Sequence, residues 1–94
     1  MSTLKNLEVE KKRKFIEEFF PDVLLCDGHD NAILGVVESF NDPAVVLYDK
    51  EKIIENLSSE MTEGEAYEYF SFNIIGSYVG DYTPKFATII KESK

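Results

Sequence analysis

The chain has 94 residues, of which 44% are hydrophobic, and a net charge of −8 at pH 7. This length predicts a single domain spanning residues 1–94, and the apolar content excludes a disordered chain. The lone cysteine excludes an internal disulfide, and no stretch reaches the roughly 20 apolar residues of a membrane span. The start of the sequence lacks the apolar core of a secretory signal, so we expect a cytoplasmic protein that makes no membrane contact.

The first predicted element is a helix over residues 3–20, because apolar side chains recur there at helical spacing. Pro21 ends it, since proline disfavours helical geometry in the residue before it. Four of the ten cations form the run Lys-Lys-Arg-Lys at 11–14. We therefore divide the chain into an N-terminal helix, 1–20, and a body, 22–90.

A hairpin is predicted next. The short apolar run at 23–26 fits either a strand or a buried connector. After a polar segment rich in turn-forming residues, branched apolar side chains predict a strand at 32–40. The turn Asn-Asp-Pro then separates this strand from a second one at 44–49, which favours antiparallel pairing.

Two helices follow the hairpin. Asp49 is placed to cap a short helix at 50–58. Thr62 and Glu65 have the spacing of a capping box at the start of a longer helix, 62–78. Aromatic and apolar side chains recur along that helix at intervals of three and four, at Tyr67, Phe70, Ile74 and Tyr78.

A final apolar run, 85–90, predicts a third strand. The predicted order is α-β-β-α-α-β. It indicates an α+β fold with a small three-stranded antiparallel sheet packed with helices.

Residues 24–35, Leu-Leu-Cys-Asp-Gly-His-Asp-Asn-Ala-Ile-Leu-Gly, hold the only cysteine and the only histidine. Cys26 and His29 lie three positions apart, but no second histidine supports a nucleophilic pair, and Cys26 follows apolar residues. Structural zinc needs two separated ligand pairs, which are missing. Asp-Gly predicts a tight turn instead. We predict a protein that is not an enzyme, with no catalytic residue, metal or cofactor.

An alternative hypothesis is a small-ligand or metal-binding protein. Its site, which would take a nucleotide or a divalent ion, lies around residues 26–30 and 48–52. It combines carboxylates, an imidazole, a phenol, an amine and an amide. The candidate ligand-binding residues are Asp27, His29, Asp30, Tyr48, Asp49, Lys52 and Asn73.

The charge distribution favours a different class of function. Residues 15–49 contain eight acids and residues 53–84 contain six, with no lysine or arginine in either segment. Such a body repels nucleic acid and attracts basic proteins. Twelve aromatic residues exceed what a small core easily buries, and tyrosine suits interfaces. The predicted partner-binding residues are Asp27, Asp30, Glu63, Glu68, Tyr69, Tyr78 and Asp81.

Three strings, DGHDNAILG, VVLYDKEKIIENL and EAYEYFSFNIIGSYVGDYTPKF, resemble a small protein family of tailed bacteriophages. The resemblance covers residues 22–86 and leaves out the first helix. It implies a phage protein acting in the bacterial cytoplasm and transfers no activity. The matching positions are Asp27, Gly28, Asp30, Ala32 and Gly35; Tyr48, Asp49, Lys52, Ile53, Glu55 and Leu57; and Glu65, Ala66, Glu68, Tyr69, Phe70, Asn73, Gly76, Tyr78, Val79, Gly80, Thr83 and Pro84.

The sequence therefore predicts a small acidic phage accessory protein. It would bind and block a host or defence protein with a basic surface, imitating the charge of nucleic acid, and would not bind nucleic acid directly. Self-association into a homodimer through an aromatic face is another hypothesis. A role as a structural component of the virion is a further one.

Overall fold

A computed structural model describes residues 3–77 and 80–91 of the chain. The elements, in chain order, are α1 (Thr3–Phe19), a 3-10 turn (Asp30–Ala32), β1 (Ile33–Ser39), β2 (Asp42–Asp49), α2 (Lys50–Leu57), α3 (Glu63–Tyr69), a π-helical turn (Phe70–Ile74), a 3-10 turn (Ile75–Ser77) and β3 (Lys85–Ala87). The predicted α+β class is confirmed. The observed order differs from the predicted α-β-β-α-α-β because three short helical turns interrupt it. None of the described helices has the length and apolarity to cross a membrane.

The sheet is mixed, with the strand order β1-β2-β3. β1 and β2 form the predicted antiparallel hairpin, whereas β3 pairs with β2 in parallel. The prediction of a purely antiparallel sheet is therefore wrong. Residues 50–84, which include α2 and α3, return the chain to the end of the sheet from which β2 started. A crossover of this kind is what a parallel pair requires.

The hairpin turn is built from Phe40 and Asn41, since Ser39 pairs with Asp42 across it. Asn41 has a φ of 73°, in the left-handed region that asparagine tolerates better than most residues. β2 starts two residues earlier than predicted, at Asp42. The side chain of Phe40 is 91% exposed at this tip.

The helix ends follow the capping signals. The Asp49 carboxylate accepts hydrogen bonds from the backbone N–H groups of Glu51 and Lys52, and Thr62 and Glu65 form the predicted capping box. The predicted helix 62–78 is wrong in its second half. Ile75 N–H donates to the carbonyl of Phe70, five residues back, so the chain widens into a π-helical turn.

The core lies between the sheet and the helices. α1 contributes Ile16, and the run 23–26 is a connector that buries Cys26 rather than a strand. Phe86 of β3 stacks on Tyr48, with ring centroids 5.8 Å apart, and lies perpendicular to the ring of Phe70 at 5.2 Å. The largest fully buried side chains are Tyr48, Phe70, Ile33, Ile53 and Val46.

Candidate partner-binding surface

Residues 26–32 form a tight turn. Gly28 has a φ of 86°, a conformation that strains residues with a β-carbon. His29 N–H donates to the Cys26 carbonyl at 3.3 Å, and Ala32 N–H donates to the His29 carbonyl at 2.9 Å. Cys26 is buried, and its N–H donates to the Tyr48 hydroxyl at 2.7 Å. The thiol is therefore a core group.

Asp30, a predicted partner-binding residue, is bound within the chain. The Arg13 guanidinium of α1 donates to both of its carboxylate oxygens, at 3.1 and 2.9 Å. Hydrogen bonding to Asp30 is the main cause of the raised pKa of Arg13, and hydrogen bonding to Glu17 adds to it. The Lys12 ammonium donates to the Ile33 carbonyl at 3.1 Å. These contacts fasten α1 to the loop.

A second set of bonds joins the loop to α2. The amides of Asn31 and Asn56 exchange two hydrogen bonds, at 3.1 and 2.8 Å. Asn56 Nδ2 also donates to His29 Nδ1 at 3.1 Å, which assigns the ring proton to Nε2. Burial lowers the pKa of His29, and the nearby charge of Asp30 partly opposes this. Because the imidazole is engaged and half-buried, it is poorly placed as a free base or ligand.

The residues of the alternative ligand site have separate structural roles. The Tyr48 ring is fully buried, and Asp49 caps α2. The Lys52 ammonium pairs with Glu55 at 3.0 Å. Within residues 3–77 and 80–91, no three His, Cys, Asp or Glu side chains group closely enough to hold a metal ion.

A groove of about 580 Å³ does bring some of these residues near a predicted partner contact, Glu63. Its walls carry four carboxylates and two lysines, and Lys52 pairs with Glu55, so part of its negative charge is neutralised within the chain. The lining residues are Asp49, Glu51, Lys52, Ile54, Glu55, Ser58, Glu63 and Lys91.

A second groove, here named the α3 groove, combines carboxylates with exposed aromatic rings. It measures about 600 Å³. It is lined by Glu60, Met61, Glu65, Glu68, Tyr69, Phe72 and Asn73. It unites two predicted partner contacts, Glu68 and Tyr69, with one residue of the alternative ligand set, Asn73.

The local sequence explains why this groove is aromatic. Ala66, Phe70 and Ile74 follow one another at intervals of four and are buried in the core. The π-helical turn runs from Phe70 to Ile74. Phe72, at its middle, lies on the outside and is 73% exposed. Tyr69, at the end of α3, is 43% exposed. Two rings therefore lie accessible beside the carboxylates.

The electrostatics of the α3 groove are one-sided. Three of its seven lining residues are glutamates, and none is a lysine or arginine. Glu65 uses one carboxylate oxygen to accept the Thr62 N–H of the capping box. No ion pair between described residues involves any of the three glutamates. Their charge is therefore available to a cation from outside the chain.

The remaining predicted contacts are scattered. Asp27 is exposed in the turn, and Asp81 lines a pocket of about 250 Å³ beside the hairpin end. Glu63 belongs to the groove of mixed charge. Tyr78 lies outside the described residues. The predicted set is thus spread over several surfaces rather than one.

Four groove residues, Glu60, Met61, Glu65 and Phe72, were absent from the predicted set. Phe72 was the hardest to find, because a regular helix over 62–78 gives no reason for a helical widening at that point. The glutamates could be predicted from the sequence, since residues 53–84 contain six acids and no lysine or arginine. No protein-family model, curated protein or solved structure matches the chain, so its own geometry must support any functional assignment.

Proposed function

We propose that this chain is a non-enzymatic phage accessory protein that binds a basic surface of a host or defence protein through the α3 groove. The observation that carries the proposal is the pairing of three glutamates, free of ion pairs in the described structure, with two exposed aromatic rings in one concave surface. Asp27, Glu63 and Asp81 extend the acidic surroundings on other faces.

The chemistry of the groove fits a lysine- or arginine-bearing segment of a protein. Carboxylates attract the cations over a distance of about a Debye length, roughly 10 Å at 0.1 M salt. The rings of Tyr69 and Phe72 offer faces on which a guanidinium can stack. Aromatic side chains at the centre of a charged rim are typical of residues that dominate binding energy.

Binding of this kind blocks its target by occlusion. A basic surface that ordinarily meets phosphate groups is covered by a carboxylate-bearing protein, so the chain imitates the charge of nucleic acid. The same charge keeps the chain itself from binding nucleic acid. The resemblance of residues 22–86 to a phage family supports the bacterial cytoplasm as the setting.

The test is capture from bacterial lysate at low salt, with matched variants of the tagged protein. The groove variant is Glu60→Lys with Glu68→Lys. The control variant, Glu10→Lys with Glu38→Lys, changes the net charge equally at two exposed positions outside the groove. We expect the groove variant to lose a basic protein that the wild type and the control variant both retain.

A second matched pair separates the aromatic contribution from charge. Phe72→Ala removes an exposed ring from the groove, and Phe40→Ala removes an exposed ring from the hairpin tip. Only the first should weaken capture of the same protein. Equal capture by all variants, or loss with the control variant as well, contradicts the proposal.

A further inference from the structure

The body covers only part of the apolar surface of helix α1. Ile16 is buried in the core, and Phe20, just beyond the helix, packs against it. Phe15 and Phe19 lie beside Ile16 around the helix and are 54% and 58% exposed, with ring centroids 4.8 Å apart. Lone exposed hydrophobic residues are ordinary, but two rings in contact on one helix face form a patch.

Charged side chains flank this patch in a defined order. Phe15, Glu18 and Phe19 follow Lys11 by four, seven and eight positions. The four residues therefore share one face of the helix. Lys11 and Glu18 are exposed, and neither forms an ion pair with another described residue. We define these four residues as the outer face of α1.

The charge of α1 identifies what the outer face can accept. The helix contains five cations and four carboxylates, whereas the whole chain has a net charge of −8. Two copies of the acidic body repel each other, and α1 is the long element where that repulsion is absent. An antiparallel pair of α1 helices crossing at Phe15 sets Lys11 of each copy near the partner's Glu18. The charge pattern of the face is therefore complementary to itself.

We propose that the chain forms a two-fold homodimer through the outer face of α1, with Phe15 on the axis and Phe19 beside it. The interface is isologous, so each contact occurs twice. One helix pair buries less than the roughly 1,600 Å² of a standard stable interface, so we expect a dissociation constant on the order of 10 µM. The α3 groove takes no part in it, so dimerisation and the proposed function are tested separately.

Charge exchange tests the self-complementarity. Sedimentation equilibrium of the full chain should show a concentration-dependent rise from monomer to dimer. Lys11→Glu alone and Glu18→Lys alone should each weaken the dimer about three- to tenfold, because each places like charges together twice. The double variant, Lys11→Glu with Glu18→Lys, should recover wild-type association. A double variant that associates no better than the single variants overturns the proposal.

Cross-linking tests the position of the axis. Cysteine at the exposed position 15, in Phe15→Cys, should give an oxidised dimer, because the two-fold axis brings both copies of this residue together. Glu10→Cys, on the opposite side of the helix, should not. The native Cys26 is buried and is present in both variants, so it does not account for a difference between them.

Two results would overturn the dimer. One is a monomeric mass at all concentrations up to about 1 mM, a hundredfold above the expected dissociation constant. The other is binding of the monomer to phosphatidylglycerol vesicles that Phe15→Ser abolishes while the mass stays unchanged, which assigns the face to a lipid surface. Thermal unfolding of each variant checks that the fold is retained.

Discussion

The loop at 27–31 and the α3 groove use similar polar residues in opposite ways. In the loop, the carboxylate of Asp30 is bound by Arg13, and the amide of Asn31 is bound by Asn56. In the groove, the glutamates lack ion pairs with described residues, and Phe72 is exposed. Asp30 and Asn31 thus tie the loop to α1 and α2, whereas Asp27 stays exposed. The groove leaves its polar groups available.

This difference shows why acid content alone does not locate a binding surface. Asp30 and Glu68 are equally acidic in the sequence, yet among residues 3–77 and 80–91 only Asp30 of the two has a cation within hydrogen-bonding distance. A carboxylate that is neutralised within the chain adds little attraction for a partner. The α3 groove is therefore a stronger candidate for a contact surface than the loop.

The largest effect is expected within the groove segment itself. Phe70→Ala should lower the free energy of unfolding by about 3–5 kcal/mol, because Phe70 is fully buried. Phe72→Ala, two residues away, should change it by less than about 0.5 kcal/mol. Urea denaturation of both variants measures the difference. Similar losses for the two would mean that Phe72 is a structural residue.

The next largest effect is expected for the hydrogen bond between Cys26 and Tyr48. Tyr48→Phe removes the hydroxyl that accepts the Cys26 N–H, so a buried donor loses this partner. We expect a loss of about 1–3 kcal/mol in the free energy of unfolding. Tyr69→Phe, at an exposed position in the groove, is the matched control and should be neutral. A neutral Tyr48→Phe would show that the loop does not depend on this bond.

The Arg13–Asp30 pair should contribute less. Both side chains are about one-third exposed, so solvent weakens the attraction. A double-mutant cycle with Arg13→Ala and Asp30→Ala should give a coupling of about 0.5–1 kcal/mol. The more exposed pair, Lys52 and Glu55, provides a control cycle with a smaller expected value. Equal coupling energies would show that the Arg13–Asp30 pair contributes no more than an ordinary surface ion pair.

The pH dependence of His29 gives the smallest predicted effect. Burial lowers its pKa below the ordinary 6.5, so the unfolded chain binds the proton more readily. Its contribution to stability is present above pH 6.5 and is lost as the pH falls below that value. Protonation at Nδ1 also removes the acceptor of the Asn56 bond. His29→Gln should therefore show a shallower loss of stability than the wild type between pH 7 and 5, measured by urea denaturation.

If the wild type and His29→Gln lose stability in parallel over that range, the imidazole is not part of the network. Both proteins carry the same carboxylates, so the difference between the two curves isolates His29.

The parts of the fold that sequence could predict are set by neighbouring residues. The Thr62–Glu65 capping box, the Asp49 cap and the helix end before Pro21 each depend on side chains within a few positions of the backbone they affect. The same is true of the β1–β2 hairpin. Local chemistry decides these features, so local reasoning found them.

The missed features depend on distant contacts. Arg13 and Asp30 are 17 positions apart, and Asn31 and Asn56 are 25 positions apart, so the sequence shows the residues without their pairing. The parallel direction of β3 depends on where the crossover returns to the sheet. The π-helical turn depends on the packing of Phe70 and Ile74 in the core, which in turn exposes Phe72. The candidate site was therefore predicted only in part.

We expect the α3 groove to attract basic protein segments and the loop at 27–31 not to. An NMR titration of the ¹⁵N-labelled chain with a hexa-arginine peptide, at about 20 mM and 300 mM salt, tests it directly because salt screens exposed charges. We expect shifts concentrated in residues 60–73 at low salt that shrink at high salt. Shifts centred on residues 27–31, spread evenly over all exposed acids, or absent at low salt would contradict it.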